Sequence, residues 1–86
     1  MLARLVARLE HRSAFVTLAD IHRAVARRPT ASLPAAGLDE MIGAAVTEQL
    51  LLTDRRTIFR RNGRTFEEVD VFRVNRRHPL VRGELL

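Results

Sequence analysis

The stretch LLTDRRTIFRRNGRTFEEVDVFRVN, residues 51–75, decides how the chain is read. Asn62-Gly63 stands between two runs of strand character. Asn-Gly in that setting is the strongest short hairpin signal, because a type I′ turn needs positive φ at both central positions. Val69-Asp70-Val71-Phe72-Arg73-Val74 is β-branched and aromatic, as a strand requires. A two-residue turn pairs Phe59 with Phe66, Thr57 with Glu68, Arg55 with Asp70, Thr53 with Phe72 and Leu51 with Val74 on one face. The other face pairs Arg60 with Thr65, Ile58 with Glu67, Arg56 with Val69, Asp54 with Val71 and Leu52 with Arg73. Leu51, Phe72 and Val74 are placed to close a core. Phe59 and Phe66 lie about six residues farther out, roughly 20 Å at 3.3 Å per residue, beyond the reach of short helices. That overshoot makes the aromatic pair a candidate interface.

Upstream of residue 51 the hydrophobic period is helical. Leu2, Leu5, Val6 and Leu9 recur on one face, with Arg4, Arg8 and Arg12 on another. Ser13–Val16 reads as a short extended stretch. Thr17 is an N-cap for a second helix, and Asp20 stands three residues later as in a capping box. Leu18, Ile21 and Val25 form its apolar stripe. Arg27-Arg28 suits the negative end of the helix dipole, and Pro29 stops the helix. Residues 29–37 are a connector, with Leu33 turned inward. A third helix is predicted from Leu38 to Leu50, with Leu38, Met41, Ile42, Ala45, Val46 and Leu50 as its core stripe. The expected core is Ile42, Val46, Leu50, Leu18, Ile21, Val25, Leu5 and Leu9. Residues 76–86 are an arm or a short helix beginning near Pro79.

Helix, extended stretch, helix, turn, helix and hairpin, in that order, resemble the winged helix-turn-helix superfamily. The resemblance spans residues 1–75 and rests on the Thr17-capped helix, the Leu38–Leu50 helix, its exit through Glu48-Gln49-Leu50-Leu51, and the Asn62-Gly63 turn. It implies an α+β fold, a three-helix core followed by a C-terminal two-stranded hairpin wing. It also implies nucleic-acid binding, with the third helix in the major groove and the wing on phosphate or minor groove. Matched onto this chain, the groove-facing positions are Asp39, Glu40, Gly43, Ala44 and Thr47. Of these, Thr47 is a candidate contact, whereas Asp39 and Glu40 repel phosphate and suit the helix dipole instead.

The charge is distributed unevenly. All 15 basic residues are Arg, against 10 acidic ones, for a net charge of +5. Residues 1–28 carry six Arg against Glu10 and Asp20, residues 29–54 carry four acids and no base, and residues 55–86 carry nine Arg against four acids. The hairpin region concentrates Arg55, Arg56, Arg60, Arg61 and Arg64. Arginine there pairs with phosphate or lies in a narrow minor groove without reading sequence, or it keeps a strand edge from aggregating.

Other chemistry is missing. There is no Cys, so no disulfide, thiolate metal site or cysteine nucleophile. His11, His22 and His78 show no metal-ligand spacing with carboxylates, and no glycine-rich phosphate loop is present. Neither metal, cofactor nor enzyme activity is expected. No apolar run is long enough to span a bilayer, and Met1–Arg12 is no secretory segment, so a soluble cytoplasmic protein is the expectation. The leading expectation is a small transcriptional regulator that binds double-stranded DNA mainly through its arginine-rich wing, as a homodimer. The alternative is a protein-interaction module, or a subunit of a larger complex, that uses the acidic third helix and the apolar wing tip. Candidate interface residues are Phe59 and Phe66 at the tip and Leu80, Leu85 and Leu86 in the tail.

Overall fold

The strand richest in β-branched and aromatic residues takes the middle of the sheet. In the computed structural model, which describes every residue except Pro29, Ala31, Ser32 and Leu86, the elements run α1 (Leu2–Glu10), β1 (Val16–Thr17), α2 (Leu18–Arg27), α3 (Leu38–Thr47), β2 (Leu51–Arg60), β3 (Thr65–Val74) and α4 (Pro79–Leu85). The sheet is antiparallel with strand order β1-β3-β2. The architecture is mixed α+β.

This corrects the expected winged helix, a three-helix core followed by a two-stranded hairpin. The described residues form four helices, and the sheet has three strands. Two sequence features produce the difference. Val16 is apolar and fully buried, and it reaches the core by pairing with Phe72, while Thr17 pairs with Val71. Pro79 opens α4 at the first helical position, where an N–H would have no partner within the helix. Val81 on that helix is fully buried.

Local chemistry fixes each helix. The Thr17 hydroxyl accepts from the Asp20 N–H at 3.2 Å, and the Asp20 carboxylate accepts from the Thr17 N–H at 3.0 Å. This reciprocal box starts α2 with no linker after β1. α3 starts from Gly37 in the left-handed region, φ 77°, and ends at Gln49, also left-handed at φ 62°. The Leu50 N–H then reaches back to the Ala45 carbonyl at 2.8 Å, as in a Schellman ending. Asn75 secures the base of the hairpin: its amide Nδ2 donates to the Gln49 carbonyl at 2.8 Å and its N–H to the Leu50 carbonyl at 3.0 Å.

The core gathers Ala3, Val6, Val16, Ile21, Val25, Leu38, Ile42, Ala45, Leu51, Phe72, Val74 and Val81. Leu5, Leu9, Val46 and Leu50 pack against it half-buried. Leu18, expected inside, is exposed. As the first residue of α2 it points along the hairpin and lines a groove with Ile58, Phe59 and Val69. α4 is tied to α1 by Glu84, which accepts from the N-terminal ammonium and from the Arg4 N–H, while the Arg4 guanidinium donates to the Glu84 carbonyl at 2.8 Å. Burial opposes ionisation of Glu84, but these donors and their charge outweigh it and leave its pKa lowered. Among the described residues, no helix is long and apolar enough to cross a membrane.

Ile42→Ala is expected to cost about 2–5 kcal/mol by urea denaturation, as truncation of a buried branched side chain does. Val81→Ala is expected to cost about 1.5 kcal/mol or more, two methyl groups at about 0.8 kcal/mol each plus the cavity. A loss near zero at Val81 would show that α4 contributes nothing to the fold.

Candidate nucleic-acid interface

The core ends well before the hairpin does. Of the two ten-residue strands, only Leu51, Val71, Phe72 and Val74 are buried. β1 covers β3 only at Val71 and Phe72, so the remainder of the hairpin projects as a two-stranded ribbon. The molecule is accordingly elongated, 42 × 26 × 23 Å. The cross-strand register is the expected one at every pair from Leu51↔Val74 to Arg60↔Thr65.

The turn differs from expectation. Arg61–Arg64 form a four-residue loop, and the left-handed residue is Arg64, φ 50°, rather than Asn62 and Gly63. A loop of this length keeps the same register, because it closes on the same Arg60↔Thr65 pair.

The five hairpin arginines fall into two groups. Along the stem, each lies beside an acid, across the strands for Arg55 and Arg60 and along β2 for Arg56. Arg55 lies 3.4 Å from Glu68 and 3.5 Å from Asp70, Arg56 lies 3.6 Å from Asp54, and Arg60 pairs with Glu67. Arg56 also covers the exposed Phe15 ring, with its guanidinium carbon 5.3 Å from the ring centre. At the tip, Arg61 and Arg64 are exposed and make no ion pair among the described residues. Residues 59–66 hold three Arg and no acid.

Phe59 and Phe66 meet on one face, ring centres 5.2 Å apart and tilted by 52°. They remain 52% and 74% exposed, so the pair covers little of itself. Thr47 is elsewhere. It ends α3 at the base of the ribbon, and its hydroxyl donates to the Gly43 carbonyl at 3.0 Å. The length of β2 separates it from the tip by roughly 30 Å. In the tail, Leu80 is exposed, Leu85 packs against the chain's own core, and Leu86 lies outside the described residues.

Two contacts were not foreseen. His22 Nε2 lies 2.6 Å from Asp39 Oδ1 and links α2 to α3. Phe15 lies beneath Arg56. Both join residues far apart in sequence, and no local pattern marks them. No family model, curated protein or solved structure matches the chain.

Phe59→Ala and Phe66→Ala are each expected to lower stability modestly, with a coupling of about 0.5–1.5 kcal/mol in a double-mutant cycle, as for other aromatic pairs. Additive effects in thermal denaturation would mean that the rings touch without stabilising the ribbon.

Proposed function

We propose that the chain binds double-stranded DNA through the outer end of its β2–β3 ribbon. One observation carries the reading: a projecting two-stranded ribbon ends in arginines that make no ion pair among the described residues, beside an uncovered aromatic pair. A ribbon of this width fits a DNA groove. Arg61 and Arg64 supply charge-assisted contacts to phosphates or to a narrow minor groove. Phe66 is the side chain shaped to wedge between base steps, as apolar residues of minor-groove binders do. The stem arginines contribute less, because Glu67, Glu68, Asp70 and Asp54 compete with phosphate for them. Binding of this kind is tolerant of sequence. α3 has no part in it, because Asp39 and Glu40 are exposed on that helix and repel phosphate.

A second reading is favoured by the same aromatic pair: a protein contact at the tip, with another copy or a different chain, in which the arginines meet carboxylates.

One assay separates the two. Affinity for two unrelated duplexes is measured across a salt series. Arg61→Gln and Arg64→Gln are each expected to weaken both duplexes equally and to lower the slope of log affinity against log salt by about one. Phe66→Ala is expected to weaken binding with the slope unchanged. Arginine variants that bind both duplexes like the wild type would overturn the DNA reading and leave the protein contact.

A further inference from the structure

We infer that the groove between α1 and α2 binds an acidic peptide segment carrying large apolar side chains. The groove is distinct from the ribbon, and the inference does not rest on the ribbon's proposed role. It encloses about 390 Å³. Leu5, Leu9 and Leu33 form an apolar floor, and Arg8, Arg12, Arg27 and Arg28 line its sides. No carboxylate among the described residues lines it. Among the described residues, none of these four arginines makes an ion pair or a side-chain hydrogen bond. Five arginines elsewhere do pair with an acid, among them Arg23 with Asp20, Arg55 with Glu68, Arg60 with Glu67 and Arg76 with Glu10.

Offsetting the two helix dipoles accounts for one cation at each C-terminus. Here each helix end presents two, and all four converge on one surface. Arg8 lies in the last turn of α1 and Arg12 just beyond its end, Arg27 and Arg28 are adjacent, and like charges gathered along one groove repel. A ligand that brings negative charge relieves that repulsion.

The floor determines the kind of anion. Phosphodiester backbone offers nothing to bury against leucine, and bases stack on aromatic rings, of which this groove has none. A peptide with Glu or Asp beside Leu, Ile or Phe satisfies both parts. Its carboxylates take bidentate hydrogen bonds from guanidinium groups. Its apolar side chains cover Leu5 and Leu9, which the fold leaves half-buried.

The test uses the full chain and three labelled probes in fluorescence anisotropy: a short peptide of alternating glutamate and leucine, a polyglutamate peptide of equal charge, and a duplex DNA. The wild type is expected to bind the glutamate–leucine peptide, with polyglutamate weaker by about tenfold or more. Arg8→Gln and Arg27→Gln are each expected to weaken the glutamate–leucine peptide about tenfold, the loss of one charge-assisted pair. Arg12→Gln combined with Arg28→Gln is a second, independent variant, and thermal denaturation checks that each variant folds. Arg61→Gln is expected to leave peptide binding unchanged. Equal affinity for both peptides would reduce the groove to a diffuse positive surface and overturn the inference. So would groove variants with unaltered peptide affinity. Groove variants that lose duplex rather than peptide would assign the surface to nucleic acid instead.

Discussion

Everything outside the helices depends on the inner end of β3. There Phe72 and Val71 are paired on both sides, to Val16 and Thr17 of β1 and to Thr53 and Asp54 of β2. Phe72, Val74 and Leu51 turn into a core that the helices close with Val6, Ile21, Ile42 and Val81. Hydrophobic burial is spent within this inner third of the sheet. Beyond it the two strands rest mainly on each other, with Leu18 and Phe15 beside them, and a two-stranded ribbon is the least stable way to build a sheet.

The charges along the ribbon compensate for that. Exposed ion pairs individually contribute little, but Arg55 and Arg60 each reach an acid on the partner strand, and a slip of one residue would move each arginine to the wrong face. The pairs Arg55–Glu68 and Arg60–Glu67 therefore do more for register than for stability. Charged side chains along a bare edge also discourage pairing with other chains. The same arrangement leaves the stem nearly neutral and concentrates unpaired positive charge at the loop. A single hairpin thus divides into a self-satisfied shaft and an end with unmet chemistry.

Most of the local structure was legible because its signals are local. Thr17 and Asp20 announce a capping box three residues apart, and a turn centred on Asn62-Gly63 gives the register, which the four-residue loop preserves because it closes on the same Arg60↔Thr65 pair. What escaped was non-local. The extended stretch Ser13–Val16 is legible, but nothing in it says which strand it joins, so its pairing with β3 was not foreseen. Val81 looks like any apolar tail residue until α1 supplies its neighbours. The same reasoning that placed Leu18 in a helical stripe missed that the first residue of a helix points past its core face. At the candidate site, the partners of the stem arginines follow from register, but the clustering of Arg8 and Arg12 with Arg27 and Arg28 required the packing of two helices. The Arg64 conformation was hidden because Asn62-Gly63 carries a turn signal strong enough to draw attention from its neighbour.

Thr17 has one further consequence. It is at once the last residue of β1, paired with Val71, and the residue whose hydroxyl and N–H start α2. No hinge separates strand from helix. Fraying of the sheet edge would pull away the cap, and unwinding of the first turn of α2 would release the strand. The two elements behave as one cooperative opening unit, so slow amide exchange in β1 should keep pace with that in the start of α2. The helix that ends at Arg27 is in this way coupled, through β1, to β3, the strand from which the ribbon extends.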